Sequence, residues 1–320
     1  MSSEKPSAEE IVRYEKDPTT KIATITLDRP EQLNAPTSDA RLRYADLIYR
    51  ANVDDDVKVL VIRGAGDSFG SGADVPDVME ILGAEDDGPR LREVRVDPDE
   101  DVRYPPRDSY RASSLRTQLY ANAAGGNRSL QEFKKISIVE AKGYCYGWHF
   151  YQAGDADLVI SSDDALFGHP AFRYAGWGPR MWTWIMTMGL RKFQEMVFTG
   201  RPFTAQEMYD CNFVNKVVPR ADLEDEVAKY ALACSRSRPT DAVAIQKTMF
   251  EIYKQYNGEY MGSMLTGIVE SLGRQVRPDR DDLEVTQEMM DQGFARTVKN
   301  NDLQYPPEFR LSRSARERSE

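Results

Sequence analysis

Val57–Ile62 reads V-K-V-L-V-I, with five apolar residues in six. A run this continuous fits a strand covered on both faces, because a strand with one wet face alternates apolar and polar residues instead. Ile22–Leu27 (I-A-T-I-T-L) does alternate and is expected to be a half-buried strand, ended by Asp28-Arg29-Pro30. A helix capped by Ser38 or Asp39 follows over Ala40–Ala51. Further strands are expected at Ser137–Ala141, Asp157–Ile160 and Phe213–Val218, the last closed by Pro219. Helical patterns cover Val75–Leu82, Tyr110–Phe133 (interrupted at Gly125-Gly126), a short stretch from Trp148, Met181–Thr199 and Ala205–Tyr209. They continue through Asp222–Ser235, Thr240–Tyr256, Tyr260–Leu272 and Leu283–Thr297. Strands alternating with helices, then helices alone, predict an α/β body of repeated β-β-α or β-α units with a helical C-terminal part. We divide the chain into a core at 1–220, with a charged, proline-rich insertion at about 83–108, a helical region at 221–299, and a polar tail at 300–320. Residues 1–10 are expected to be loose, and the tail to order only against a partner.

Composition narrows the function. A net charge of −10 argues against nucleic acid as the main partner. Cys145, Cys211 and Cys234 are too far apart to form a disulfide framework or a metal cluster, and they fit a reducing cytoplasm. The first ten residues lack the apolar run of a signal peptide, and no window is long and apolar enough to span a membrane. No metal is expected.

Chemistry-bearing residues gather in Lys142–Arg173. Both histidines, His149 and His169, lie there, and all four tryptophans (Trp148, Trp177, Trp182, Trp184) lie there or just downstream. So many rings suggest either a lined cavity or an aromatic core segment. A turn at Gly143 and Gly147 leads into a helix start, where backbone N–H groups lack helical partners and can hold a developing oxyanion. The earlier glycine-rich loop Arg63–Asp74 (R-G-A-G-D-S-F-G-S-G-A-D) has neither dinucleotide-fingerprint nor phosphate-loop spacing.

Five segments, in order, resemble the crotonase (enoyl-CoA hydratase/isomerase) superfamily. They are T-L-D-R-P-E-Q-L-N-A from Thr26; V-K-V-L-V-I-R-G-A-G-D-S-F-G-S-G-A-D-V from Val57; I-V-E-A-K-G-Y-C-Y-G-W-H from Ile138; D-A-D-L-V-I-S-S-D-D-A-L-F-G-H-P from Asp155; and F-T-G-R-P-F-T-A-Q-E-M-Y-D-C-N-F-V-N-K-V-V-P from Phe198. The resemblance spans about residues 20–270. It implies an α/β spiral of β-β-α units with a helical C-terminal trimerisation region, as a homotrimer or dimer of trimers. It implies an acyl-CoA thioester substrate, with coenzyme A entering as part of that substrate and no other cofactor. The thioester oxygen would sit between the N–H groups of Ser71 and Trp148. Coenzyme A would lie along Leu33, Ala35, Ala73, Asp74 and Val75.

The chain departs from the family where hydratases carry two glutamates: Tyr151 and Ala171 stand at those positions. A positioned acid or base supplies about 10²–10⁴-fold in rate, so the proton work must fall to other groups. Tyr151, His169 and His149 are the candidates, because histidine exchanges protons near neutral pH. His149 is equally readable as packing at a helix start, Asp155 and Glu140 as structural charges, and Arg173 as an ion-pair residue. Bulky residues where relatives are mostly small predict an acyl pocket walled by Tyr146, Phe172, Arg173, Tyr174 and Trp177, suited to a bulky or cyclic acyl group. The expected activity is that of a hydratase or lyase acting through an oxyanion-stabilised enolate. C–C bond or thioester hydrolysis, and a non-catalytic CoA-ester-binding role, remain open.

Overall fold

A computed structural model of the chain describes residues 6–77, 109, 128–173, 181–272 and 299–317. Six strands form the larger sheet: β1 (Val12–Asp17), β2 (Ile22–Leu27), β3 (Val59–Gly64), β4 (Ile136–Ala141), β6 (Leu158–Ser162) and β9 (Lys216–Val218), side by side in that order. β1 runs antiparallel to β2, and every later neighbour is parallel. A second sheet holds three short strands, β5 (Tyr144–Tyr146), β7 (Leu166–Gly168) and β8 (Phe203–Thr204). β4 is followed by β5 and β6 by β7, so each turn of the chain lays one long strand in the larger sheet and one short strand in the smaller. The glycine-rich loop after β3 joins the same pattern through a parallel bridge between Gly70 and Cys145. This is the expected β-β-α spiral.

The doubly apolar run explains itself in the packing. Leu60 and Ile62 face a core that includes Ile25, Tyr44, Leu47 and Phe69. Val59 and Val61 face the opposite side, against Ile138, Ile160 and the Leu223, Val227 and Ala231 stripe of the helix Leu223–Arg236. Fully burying each such side chain is worth about 1.5–3 kcal/mol. β1 escapes the sequence pattern because it is an edge strand: only Val12 is buried along V-R-Y-E-K-D, and charged residues blunt the free edge. The short helix α1 (Ala8–Ile11) before it is held by a reciprocal Ser7–Glu10 capping box, so residues 8–10 are ordered rather than loose.

Several expected boundaries shift. The strand at Val57–Ile62 runs instead over Val59–Gly64. The strand expected at Phe213–Val218 shortens to Lys216–Val218, because Asn212 adopts a left-handed φ of 68° and the amides of Phe213 and Val214 both bond the Met208 carbonyl. Met181–Thr199 is two helices, Met181–Met188 and Leu190–Thr199, divided at Gly189 with φ 77°. Residues 128–133 form turns, not the end of a helix. The insertion at 83–108, the stretch 110–127, the later part of Val75–Leu82 and Leu283–Thr297 lie outside the described residues.

The tail is the largest correction. Its described residues pack on their own chain through buried charge pairing. Asp302 meets Arg173 at 2.8 Å and accepts the amides of Leu311 at 2.7 Å and Ser312 at 3.1 Å. Tyr146 donates its hydroxyl to the Leu311 carbonyl at 2.8 Å, and Arg313 pairs with Asp164 at 2.9 Å. Among the described residues, no helix is long and apolar enough to cross a membrane.

Candidate active site at the junction of two glycine loops

The loop after β3 is zipped onto β5. Phe69 donates to the Lys142 carbonyl and Gly70 to the Tyr144 carbonyl, both at 2.7 Å, and Tyr146 donates back to Gly70 at 2.9 Å. The Asn34 side chain clamps the loop from below, donating to the carbonyls of Ala65 at 2.9 Å and Ser68 at 2.8 Å. β5 then ends at Gly147, whose φ of 56° turns the chain into the helix Trp148–Asp155. The Gly147 amide bonds the Gly168 carbonyl at 3.0 Å, at the end of β7. The two loops touch at a pair of glycines. A Cβ on Gly147 would sit 3.1 Å from the Gly72 Cα, 3.9 Å from the Ser71 carbonyl oxygen and 3.9 Å from His169 Nδ1. A Cβ on Gly72 (φ 113°) would sit 3.8 Å from the Trp148 nitrogen. A positive φ favours glycine at both positions, and at Gly147 the 3.1 Å contact makes space tight as well.

The parallel β5–β7 register brings Tyr146 opposite Gly168, so residue 169 emerges beside Gly147. There the hydroxyl of half-buried Tyr151 lies 3.2 Å from His169 Nε2. The other ring nitrogen, Nδ1, is buried and has no hydrogen-bond partner among the described residues. Burial lowers the His169 pKa to about 3, so the ring is neutral at physiological pH. Phe172 packs edge-on against His169 at 4.9 Å. Sequence reasoning missed Trp184 and Phe193 as further rings packed around this pair. Trp184 is fully buried, lies 5.5 Å from the Tyr151 ring and 6.0 Å from His169, and stacks on Phe150 at 4.8 Å. Phe193 lies edge-on to Phe172 at 5.8 Å. The gathering of tryptophans downstream of the glycine turn was the one signal that could have found Trp184.

Other candidates are placed elsewhere. His149 is fully buried as a wedge, not exposed as a proton carrier: its Nδ1 accepts the Gly72 amide at 3.1 Å, and its ring packs edge-on against Phe69 at 5.0 Å and Trp148 at 5.2 Å. Burial lowers its pKa to about 3. A Cβ on Gly70 would come within 2.0 Å of its Nε2, so ring and glycine fit each other. Ser71 is a second correction. Leu33 and Asn34 both adopt left-handed backbone angles, and the Ser71 amide donates to the Leu33 carbonyl at 3.0 Å. Its N–H is therefore spent inside the protein in this conformation and does not face a shared oxygen site with Trp148. The Trp148 indole does not plug the junction; it packs edge-on against Tyr44 at 4.9 Å in the core. Tyr146 and Arg173 leave the acyl-pocket set because both hold the tail. Arg173 also donates to the Gly200 carbonyl at 3.0 Å and lies over the Tyr305 ring at 3.7 Å. Tyr174 and Trp177 lie outside the described residues.

The segments expected along coenzyme A do come together. Leu33 and Val75 are exposed, Ala35 is buried and Ala73 half-buried. The Asp74 amide bonds Pro36, and its carboxylate pairs with Arg29, which also donates to the Ala35 carbonyl at 3.2 Å. Arg29, unremarked in the sequence, thus ties the two loops. Asp155 is buried, accepting from Gln131 at 2.7 Å, and Glu140 pairs with Lys142 at 3.1 Å, so both charges are structural.

A family model for enoyl-CoA hydratase/isomerase matches residues 110–262. The Mycobacterium tuberculosis protein named "Putative enoyl-CoA hydratase EchA13" is 27% identical over 256 residues, covering 77% of this chain and 76% of that protein. The mevalonyl-coenzyme A hydratase sidH of Aspergillus fumigatus is 25% identical over 233 residues, covering 71% and 74%. A crystal structure of a probable enoyl-CoA hydratase from Mycobacterium thermoresistibile superposes with a TM-score of 0.65 at 26% identity, covering 83% of this chain and 97% of that one. The chain is similar in sequence to the enoyl-CoA hydratase/isomerase family and shares the crotonase fold. In that fold the Gly72–Gly147 contact brings the two glycine loops together, and the Tyr151–His169 pair sits directly beside it.

Proposed function

We propose that the protein is a hydratase or lyase on a bulky or cyclic acyl-CoA thioester, with Tyr151 and His169 carrying the proton work. The observation that supports this reading most strongly is the 3.2 Å contact between these two side chains beside the glycine junction. Two groups 18 residues apart in sequence meet where the family reacts its thioester, and one of them is a neutral imidazole with a spare nitrogen. The chain has no glutamate at 151 or 171, so water addition here uses a phenol and an imidazole in place of two carboxylates. The ring-lined wall of Phe172, Trp184 and Phe193 suits a flat or branched acyl group better than a straight chain. Names of relatives, including one for a mevalonyl-CoA hydratase, support hydration of a CoA thioester. Coenzyme A would follow Leu33, Ala35, Ala73, Asp74 and Val75, with the exposed Leu33 and Val75 side chains flanking it.

The same reading includes self-association, as a trimer or dimer of trimers in the cytoplasm. The helix Thr240–Tyr256 exposes Ile245, Met249, Ile252, Tyr253 and Tyr256, each at least 63% accessible and spaced along one face. An apolar stripe of this size calls for a covering surface.

Incubation with a panel of CoA esters, read by mass spectrometry, tests the proposal. The expected result is gain of one water on a cyclic or branched enoyl-CoA, with crotonyl-CoA turned over more slowly. Release of free CoA would make the protein a thioesterase or C–C hydrolase. No change in any ester, with binding retained, would make it a non-catalytic binder.

A further inference from the structure

The smaller sheet has two faces, and the tail covers the one turned away from the Tyr151–His169 pair. Side chains alternate along β5 and β7, so Cys145 and Phe167 join the main core while Tyr144, Tyr146 and Leu166 gather in a separate cluster. Leu311 of the tail completes that cluster. Tyr146 donates its hydroxyl to the Leu311 carbonyl at 2.8 Å, and the Arg313 amide donates to the Tyr144 hydroxyl at 2.9 Å. β5 ends at Tyr146 and β7 at Gly168, so the residues that follow directly are Gly147 and His169. The tail thus grips, from behind, the strands whose ends present the candidate site.

A second grip lies just beyond His169. The turn Pro170–Arg173 starts on it, because the Phe172 amide donates to the His169 carbonyl at 3.0 Å. Short turns of this 3-10 type have poor hydrogen-bond geometry and hold little on their own. Here the last residue is pinned. The Arg173 side chain is only 1% exposed; it donates to the Gly200 carbonyl at 3.0 Å, to Asp302 at 2.8 Å and to the Phe309 carbonyl, and it lies over the Tyr305 ring at 3.7 Å. Asp302 also accepts the amides of Leu311 and Ser312. One buried carboxylate therefore ties the turn after His169 to the segment that holds Tyr146 before Gly147. A buried ion pair is a weak way to stabilise a fold, since apolar residues of similar volume often serve as well. Its fixed directions suit the setting of a geometry.

We infer that residues 302–313 are a strap that sets the spacing of Gly147 and His169, with Arg173 and Asp302 as positioning residues for the Tyr151–His169 pair. They act through His169 and not on the substrate, by holding the ring where its Nε2 meets the Tyr151 hydroxyl at 3.2 Å. An error of about 1 Å in such a placement costs about 10²-fold in rate. The kinetic side of the inference rests on the acyl-CoA reading above; the placement of the ring does not.

The chain has only two histidines, so nitrogen NMR of the full-length protein labelled with ¹⁵N-histidine reads each ring separately. Asp302→Ala should move the His169 ring resonances and leave those of His149 in place, because His149 is held by Gly72, Phe69 and Trp148 instead. Asp302→Asn, which removes the charge and keeps the size, repeats the test if the alanine variant does not fold. Unmoved His169 resonances in a folded variant overturn the inference. In kinetics, Asp302→Ala should lower kcat on the preferred enoyl-CoA about 10²-fold, while the dissociation constant for cyclohexanecarbonyl-CoA, which has no double bond to hydrate, stays within about threefold. Arg313→Ala breaks only the more exposed pair with Asp164 and should keep kcat within about twofold of wild type. Equal rate losses in Arg313→Ala and Asp302→Ala, or a loss of ester binding that matches the loss of rate, would make the tail a general support of the fold and overturn the positioning role. A wild-type protein that turns over no CoA ester overturns the acyl-CoA reading, and the His169 resonances then decide the strap alone.

Discussion

Tyr151→Phe lowers kcat on the preferred enoyl-CoA by about 10²-fold, and His169→Ala by about 10²–10⁴-fold, while the dissociation constant for the CoA ester changes little. The split between rate and binding follows from placement. Both side chains sit at the glycine junction, among Phe172 and Trp184, whereas the residues expected to hold coenzyme A are Leu33, Ala35 and Ala73–Val75 on separate loops. Tyr151 is only half-buried, and losing its hydroxyl removes no packing volume of consequence, so the variant should fold. His169→Ala leaves a gap against Phe172 and Tyr151, and a circular-dichroism melt checks that a rate loss is not an unfolding loss. Steady-state kinetics beside calorimetric binding separates the two effects. A kcat within threefold of wild type in both variants would remove the pair from the chemistry.

Acid destabilises the fold well above the range where carboxylates titrate. His149 and His169 are held neutral, each with a folded pKa lowered by burial to about 3 against an ordinary value of 6.5. Between these limits the unfolded chain binds protons that the folded chain refuses, so stability rises with pH. The contribution is fully present above 6.5 and is lost as pH falls toward 3. At pH 5 the loss is about 2 kcal/mol from His149, and up to the same from His169, whose side chain is less completely covered. Urea unfolding at pH 7.5, 6 and 5 should show this decline, and His169→Asn should remove the His169 share while keeping that of His149. A flat stability between pH 7.5 and 5 would mean that both rings are accessible enough to charge in the folded state.

Local pattern and global placement divided along physical lines. The doubly apolar Val57–Ile62 run was legible because both faces of β3 are covered, and so was the order of strands and helices. β1 was not, because an edge strand presents charged residues to water and loses its alternation. The tail at 300–320 looked solvated for a related reason. Its partners are single atoms distant in sequence, the Arg173 guanidinium and the Tyr146 hydroxyl, and no local periodicity announces them. Tyr151 and His169 were legible as candidates from where they stand in the motifs, but their contact depends on the β5–β7 register that sets residue 169 beside 147. His149 shows the opposite case. A histidine next to the helix start looks functional until Gly72 is found donating to it, and only the fold brings residue 72 to 149. Ser71 was misread in the same way, since its commitment to Leu33 follows from two consecutive left-handed residues that nothing in Q-L-N-A marks.

A crystal structure with cyclohexanecarbonyl-CoA bound tests the central claim most directly. The account predicts the acyl carbons next to the thioester within reach of the Tyr151 hydroxyl and the His169 ring, beside the Gly72–Gly147 junction and Phe172. An acyl-CoA bound with those carbons remote from both side chains would contradict it.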